Sequence, residues 1–303
     1  MVYWLNFRHY LWFNAEGGWW MAITVTPLAD ACGAQISGID MRKKPALKDA
    51  ELIYEAWLKH LVIVIRDQSG ISPADQKMFC GNFGKIGEYN RPKERQHPKY
   101  ASDEIMLVSN VREDGRVIGA HPDGEMMWHT DTPYLSNPHK ATTLYGVEIP
   151  KVGGNTLFSN QYMVYKALPK KIKKKLAGMR AMNCYEFGTT VKTFEKYDRD
   201  AVPHHPHPVF RKHPETGRTA VYVCPLMTEE IVGLDQEEGK EILEEIYHLQ
   251  SQPQFVYSHK WRVGDFVMWD NRCLLHARTD FPPGQRRLLR RVTISDEAEV
   301  MAA

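Results

Sequence analysis

A histidine and an aspartate two residues apart carry the clearest chemical signal in this 303-residue sequence. His129 and Asp131 lie in the run Trp-His-Thr-Asp, inside a stretch with the pattern of a β-strand. Side chains at positions i and i+2 of a strand point to the same face, so both groups can reach one metal ion. A third ligand must come from elsewhere, and His276, just after a predicted strand that ends at Asp270, is the candidate.

Two histidines and one carboxylate form the facial triad of non-haem Fe(II) oxygenases, which leaves coordination positions open for a chelating co-substrate and for O₂. By itself the His-x-Asp pattern is common among ordinary surface residues. A zinc hydrolase uses a similar ligand set. A non-catalytic cupin-like protein could also keep the three ligands for a structural metal, so the triad alone leaves these alternatives open.

An arginine-rich stretch near the C-terminus favours an enzyme that binds anions. If this stretch is a strand, Arg287 and Arg291 share one face, and Arg286 and Arg290 share the other. Four residues of a strand span roughly 13 Å, which is too far for two guanidiniums to hold one small anionic group. Each can instead bind a separate anion in bidentate geometry. Solvated surface arginines are the alternative interpretation of this stretch.

Many short strands and a few helices must position these residues. Strand patterns occur at 62–65, 128–134, 142–148, 155–160, 219–225, 255–261 and 266–270, and helical patterns at 47–61, from Ser72 onward, at 162–179 and at 236–249. The chain shows no βαβ alternation and no internal repeat. This organisation predicts a mainly β fold with flanking helices, as an antiparallel sandwich or a jelly roll.

Composition and charge exclude several classes of protein. Hydrophobic residues make up 43% and charged residues 25%, as in ordinary globular proteins. The 39 basic residues nearly balance 37 acidic ones, which argues against a nucleic-acid partner and a polybasic membrane anchor. The five scattered cysteines form no CxxC pair, so we expect a reducing compartment and, without an export signal, the cytoplasm.

The first 20 residues have an unusual composition. They hold eight aromatic residues and four of the eight tryptophans, yet they are too polar for a signal peptide or a membrane span. We interpret residues 1–20 as an N-terminal extension, with Met21 as an alternative start. The competing interpretation is an arm that packs on the domain or on a neighbouring subunit. Residues 21–303 are expected to form a single domain, with a helical and loop insertion near 160–215.

The sequence resembles the taurine dioxygenase/TfdA family of Fe(II)- and 2-oxoglutarate-dependent dioxygenases over about residues 23–296. The motifs that carry the resemblance are WHTD at 128–131, GGNTLF at 153–158, HPVFRKHPETGR at 207–218, WDNRCLLH at 269–276 and QRRLLRRVT at 285–293. The resemblance implies a double-stranded β-helix (jelly roll). It also implies an enzyme that hydroxylates a small organic anion, or cleaves a C–X bond in it, while 2-oxoglutarate and O₂ are consumed and succinate and CO₂ are released.

The resemblance further implies roles for individual residues. His129, Asp131 and His276 match the Fe(II) ligands. Thr156 and Arg287 match the residues that bind 2-oxoglutarate. Arg291 matches the arginine that holds the anionic group of the substrate. We expect no nucleic-acid or membrane partner, and a homo-oligomer, either a dimer or a tetramer.

Several positions depart from the taurine-specific pattern and point to a different substrate. Tyr89 stands where taurine enzymes place a histidine, and Thr132 stands where they place an apolar residue. Met126, Met127 and Tyr134 would form a larger and softer wall. The expected substrate is therefore a carboxylate, sulfonate or sulfate ester with a bulky apolar or aromatic body. A taurine-like desulfonating dioxygenase is the alternative.

Overall fold

A seven-stranded sheet faces a four-stranded sheet, and helices cover the outer side of the larger sheet. The fold is taken from a computed structural model. The described residues are 11–13, 19–87, 104–120, 126–185, 187–188 and 198–303.

The secondary structure of the described residues is dominated by short strands. The helices are α1 (Leu47–His60), α2 (Pro73–Cys80), α3 (Gln161–Ala167), α4 (Lys170–Leu176) and α5 (Gln236–Gln250). The strands are β1 (Leu11–Phe13), β2 (Trp19–Met21), β3 (Thr24–Pro27), β4 (Ala34–Ser37), β5 (Val62–Ile65), β6 (Met106–Ser109), β7 (Arg112–Glu113), β8 (Arg116–Val117), β9 (Met126–His129), β10 (Ala141–Glu148), β11 (Thr156–Asn160), β12 (Arg180–Cys184), β13 (His204–Pro208), β14 (Phe210–Lys212), β15 (Thr219–Val221), β16 (Thr228–Ile231), β17 (Val256–His259), β18 (Phe266–Asp270), β19 (Leu274–Arg278), β20 (Leu288–Ile294) and β21 (Met301–Ala302).

The two large sheets have the strand orders β3-β4-β5-β18-β10-β20-β6 and β17-β11-β19-β9. Neighbouring strands in them are antiparallel, except that β4 and β5 are parallel. Two packed sheets with this mainly antiparallel pairing confirm the predicted fold class, a mainly β jelly roll with flanking helices. None of the described helices is long and apolar enough to cross a membrane.

The seven-stranded sheet is buried on both faces, and the period of two along each strand decides which residue lies on which side. In β5, Val62 and Val64 face the four-stranded sheet, where they join a core that includes Leu289 and Trp269. Ile63 and Ile65 point the other way. They pack with residues of α1 and α2, such as Trp57 and Phe79. The continuous apolar run of β5 therefore reflects a strand with a packed layer on each side.

A long excursion, residues 161–255, separates β11 from β17. It contains α3, α4, α5 and the strands β12 to β16, and it has a hydrophobic core of its own that includes Val164, Leu176, Val223 and Ile246. The excursion extends beyond the predicted limits of 160–215, because β16 and α5 also pack on that core. The helix predicted over 162–179 is divided into α3 and α4, with Pro169 preceding α4 as its N-cap.

Candidate active site

A cavity of about 260 Å³ lies between the two large sheets. The sheets contribute its polar groups, and the excursion and neighbouring segments contribute much of its apolar wall. The lining residues used below are Met126, His129, Asp131, Thr132, Tyr134, Thr156, Tyr185, Leu226, Met227, His276, Arg278, Arg287 and Arg291.

The predicted triad comes together at one side of this cavity. His129 in β9 and His276 in β19 are direct partners in the antiparallel pairing, and their ring centroids are 4.1 Å apart. Asp131, two residues after His129, places Oδ1 3.9 Å from Nε2 of His276. One ligand atom from each of the three buried residues lies within 4.8 Å of the others. The cluster thus has the composition and the proximity of a metal site.

The orientation of the ligands tests whether they fit a divalent cation. Nδ1 of His129 lies 2.7 Å from the carbonyl oxygen of Met127. Because a carbonyl only accepts, Nδ1 carries the hydrogen and the lone pair of Nε2 is left for a metal, as is usual for metal-bound histidines. Ligands at right angles around a metal at about 2.1 Å are about 3 Å apart. The observed separations, 3.9 Å between Nε2 of His276 and Oδ1 of Asp131 and at most 4.8 Å among the three ligand atoms, are wider than this but leave all three atoms within reach of one cation.

The electrostatics also suit a cation. Burial lowers the pKa of His129, and burial together with His129 lowers that of His276 well below its ordinary value, so both imidazoles are neutral near pH 7. Burial opposes ionisation of Asp131, but the positive charge of Arg291, with the hydrogen bond from Thr142, favours it, and the pKa of this carboxyl lies below its usual range. Nη2 of Arg291 lies 2.8 Å from Oδ1 of Asp131. Neutral histidines and an ionised carboxylate are the protonation states that a metal requires.

A second group of polar residues lines the cavity beside the triad. The indole Nε1 of Trp261 donates a hydrogen bond of 3.0 Å to Oγ1 of Thr156. Arg287 is almost fully buried, and its guanidinium donates to the carbonyl oxygen of Gly154 at 3.2 and 3.3 Å. Gly154 has a φ of 63° and a Cβ there would lie 3.1 Å from Nε of Arg287, so glycine permits this approach. Thr156 and Arg287 together offer donors to an anion.

Arg278 is a cavity residue that the sequence interpretation missed. It is buried, and it lies directly opposite Thr156 in the pairing of β11 and β19. Burial and the like charge of Arg278 lower the pKa of Arg287 to about 9, so the pair favours a negatively charged occupant. A signal was present, because Arg278 is two residues after His276 in a strand and therefore shares its face.

The four arginines in β20 and in the two residues before it lie as their alternation predicted. Arg287 and Arg291 line the cavity. Arg286 lies outside it and pairs with Glu148. Arg290 faces away from the cavity, where Nη2 donates to the carbonyl oxygen of Ile71 at 2.8 Å. The period of two thus separates the two cavity arginines from two that lie outside the cavity.

The structure corrects the position of Met127. Met126 lines the cavity, whereas Met127 is 41% exposed and lies outside its lining. The reason is a register shift: His129 pairs with His276, but Met126 pairs with Arg278, so the two residues between Met126 and His129 lie opposite a single residue of β19. A bulge of this kind inserts one extra residue and reverses the alternation before it. A regular strand would have placed Met127 on the face of His129.

Thr132 and Tyr134 line the cavity beyond the triad. Thr132 has a φ of 55°, which is unusual for a β-branched residue and turns the chain directly after Asp131. The ring of Tyr134 meets that of Tyr185 edge to face, with centroids 5.2 Å apart. Tyr185, Leu226 and Met227 come from the excursion, and nothing local in the sequence marked them. Tyr89, the remaining predicted substrate residue, lies outside the described residues.

A second cluster with metal-ligating groups lies elsewhere and is already satisfied. It consists of His213, Asp270 and Cys273, all buried. Nε2 of His213 lies 3.0 Å from Asp270, and its Nδ1 accepts from the backbone N–H groups of Glu215 and Thr216. Asp270 also accepts from Arg272 at 2.7 and 2.9 Å. With both imidazole nitrogens and the carboxylate engaged, this cluster has the bonding of a structural ion pair.

Comparison with known proteins places the whole arrangement in a family. A family model described as "Taurine catabolism dioxygenase TauD, TfdA family" matches residues 24–293. The chain belongs to this family. The match spans both large sheets and every cavity residue named above, and it confirms the family predicted from the sequence motifs.

Relatives of this TauD/TfdA family member cover nearly all of its length. Pentalenolactone F synthase of Streptomyces avermitilis is 34% identical over 91% of this chain and 95% of its own. The α-ketoglutarate-dependent 2,4-dichlorophenoxyacetate dioxygenase of Cupriavidus pinatubonensis is 32% identical over 92% and 100%, respectively. A solved structure titled AAD-2 in complex with Mn(II) and N-oxalylglycine superimposes with a TM-score of 0.79, at 26% identity, over 93% of this chain and 100% of that one. These similarities confirm the predicted enzyme class, an Fe(II)- and 2-oxoglutarate-dependent dioxygenase.

Proposed function

We propose that this dioxygenase binds Fe(II) through His129, Asp131 and His276 and hydroxylates a small organic anion with an apolar or aromatic body. The observation that carries the proposal is the convergence, in one cavity, of the three buried ligands with separate anion-binding groups. A structural metal site would have no use for the buried guanidinium of Arg287 beside it. The alternatives of a zinc hydrolase and a non-catalytic cupin-like protein leave that feature unexplained.

Thr156 and Arg287 are proposed to bind the distal carboxylate of 2-oxoglutarate. Arg287 lines the cavity, its two described side-chain hydrogen bonds both go to the carbonyl oxygen of Gly154, and a guanidinium–carboxylate hydrogen bond is strong in a buried site. The like charge of Arg278 raises the gain from an anion at this place. Iron supplies the activation of O₂ when it is bound. The residues of the chain hold and orient the two co-substrates around it.

Arg291 and the apolar wall are proposed to hold the primary substrate. Arg291 lies next to Asp131, so an anionic group bound there places the adjoining carbon atoms close to the metal. Met126, Tyr134 and Met227 supply aromatic and thioether surface for the body of the substrate. A carboxylate, sulfonate or sulfate ester fits this combination, and oxidation next to a leaving group would break the C–X bond. Two relatives named for phenoxyalkanoates and one named alkylsulfatase support this class.

The test measures succinate released from 2-oxoglutarate by the iron-loaded protein with a panel of aryloxyalkanoates, sulfonates and sulfate esters. We expect strong stimulation by members with an aromatic or long apolar body and little by taurine. Stimulation by taurine alone would favour the taurine-like alternative. If no panel member stimulates release, or if His129→Ala turns over at the parental rate, the proposal is wrong.

Location, assembly and the N-terminal segment complete the proposal. We propose a cytoplasmic homo-oligomer, a dimer or tetramer, whose residues 21–303 form the catalytic domain. The backbone of β1 pairs with that of β2 in an antiparallel arrangement. Deletion of residues 1–20 should leave metal binding and turnover intact. Loss of both would show that this segment belongs to the active fold.

A further inference from the structure

A chain of three hydrogen bonds begins at an indole ring and ends on the carboxylate of Asp131. Nε1 of Trp269 donates to Oδ1 of Asn271 at 2.9 Å. Nδ2 of Asn271 donates to Oγ1 of Thr142, also at 2.9 Å. Oγ1 of Thr142 donates to Oδ2 of Asp131 at 2.5 Å. Thr142 and Trp269 are direct partners in the pairing of β10 and β18, which explains why one amide can join them.

The direction of every bond in this chain is fixed by its first donor. An indole N–H can only donate, so the group of Asn271 that faces Trp269 must be its carbonyl oxygen. The NH₂ group of Asn271 therefore faces Thr142, and the Thr142 oxygen accepts from it. The hydroxyl proton of Thr142 is left for Asp131. Chemistry thus assigns an amide orientation that is ambiguous for most asparagines.

Burial strengthens these three hydrogen bonds, because water does not compete for their donors and acceptors. Asn271 and Thr142 are fully buried, and Trp269 is 1% exposed. Hydrogen bonds in such surroundings are electrostatically stronger than in water and polarise one another. The backbone carbonyl oxygen of Asn271, distinct from the side-chain Oδ1, accepts from Oγ1 of Thr130 at 2.8 Å, so the same residue holds the segment between His129 and Asp131.

We propose that Trp269, Asn271 and Thr142 are positioning residues that make Asp131 a one-oxygen metal ligand. Oδ2 of Asp131 is engaged by Thr142, whereas Oδ1 is turned toward His276 and Arg291. A carboxylate held in this way does not chelate with both oxygens, which preserves a coordination position for the co-substrates. The inference rests on the proposed role of Asp131 as a ligand.

Mn(II) affinity of the full-length protein, measured from the free-ion signal in electron paramagnetic resonance, tests the inference independently of turnover. Thr142→Val removes the hydroxyl with little change of shape, and we expect a loss of affinity of roughly 10- to 100-fold. Thr142→Ser should restore it to within about threefold of the parent, because the donor returns. The matched control is Thr143→Val, since Thr143 is equally buried in the same strand but donates to the carbonyl oxygen of Val292.

A double-mutant cycle distinguishes a connected chain from local damage. Asn271→Ala and Thr142→Val should each weaken Mn(II) binding. The Mn(II) affinity of the double variant should lie within about threefold of that of the single variant that binds less tightly. Additive losses, an unchanged Thr142→Val, or an equal loss in Thr143→Val would overturn the inference. Asp131→Ala separates this failure from that of the proposed function. If Asp131→Ala lowers Mn(II) affinity strongly while Thr142→Val does not, the ligand assignment stands and only the positioning role fails.

Discussion

Removal of the indole N–H of Trp261 should weaken 2-oxoglutarate binding, although this N–H donates to Thr156 and not to the co-substrate. Trp261 donates to Oγ1 of Thr156 over 3.0 Å, and both side chains are buried. Since Trp261 uses a lone pair of this hydroxyl, the Thr156 proton is directed elsewhere, and an anion in the cavity is the proposed acceptor. Trp261→Phe keeps an aromatic side chain at this position, but it replaces the two-ring indole by one ring and removes the N–H donor.

The expected magnitude follows from the bonds involved. A neutral hydrogen bond contributes about 1 kcal/mol, so loss of the orienting bond should weaken binding about fivefold. Thr156→Val removes the hydroxyl that donates to a carboxylate, a bond of about 1.5–3 kcal/mol, and should weaken binding roughly 10- to 150-fold. Thr156→Ser should stay near the parent. Because the bond is made equally in the ground and transition states, KM for 2-oxoglutarate should rise while kcat changes little.

Calorimetric titration of the Mn(II)-loaded protein with N-oxalylglycine measures this binding directly, and steady-state kinetics measure KM and kcat. Trp57→Phe is the matched control, because Trp57 is fully buried in the helix-covered core and its Nε1 has no hydrogen-bond partner in the described residues. An affinity of Trp261→Phe within about twofold of that of Trp57→Phe would refute the orienting role. Equal losses in Thr156→Ser and Thr156→Val would refute the role of the hydroxyl.

Further predictions concern the arginines, a buried histidine and the bulge. Arg287→Ala should raise KM for 2-oxoglutarate about 100-fold or more, as expected when a buried charge pair loses one partner. Arg291→Ala should mainly raise KM for the primary substrate. The reverse result would overturn the assignment of the two arginines. Burial, only partly offset by the Leu135 carbonyl, lowers the pKa of His207 to about 4, so the folded imidazole stays neutral while the unfolded chain takes up a proton below about pH 6.5. Between pH 7.5 and 5 the free energy of unfolding in urea should therefore fall by about 2 kcal/mol more in the parent than in His207→Gln, and equal losses would contradict the shift. Met126→Ala should change the ranking of substrates by kcat/KM, but Met127→Ala should not. The opposite result would contradict the placement of Met126 toward the cavity and Met127 away from it.

Much of the site followed from short-range sequence patterns. The alternation of Arg287 and Arg291 follows the period of a strand, which holds wherever the strand is regular. The i, i+2 spacing also predicted that His129 and Asp131 lie together, although β9 ends at His129 and Asp131 lies two residues beyond it. The same rule would have found Arg278. It failed at Met127 because a bulge is defined by the partner strand, and no feature of β9 alone announces it.

Other features depend on contacts between distant parts of the chain. Tyr185 and Met227 reach the cavity only because the excursion folds back over the sheets. Asn271 is a further case. Its link to Asp131 passes through Thr142, a residue far away in sequence whose contact with it arises from the pairing of β10 and β18.

The separate core of the excursion has a consequence for how such enzymes can diversify. The proposed ligands of iron and 2-oxoglutarate stand on the two sheets or beside their strands, whereas Tyr185, Leu226 and Met227 belong to a segment that packs largely on itself. Substitutions in that segment can reshape the wall of the cavity without repacking the sheets. Natural variation could therefore exchange one substrate for another by altering this cover, while the oxidative machinery beneath it stays constant.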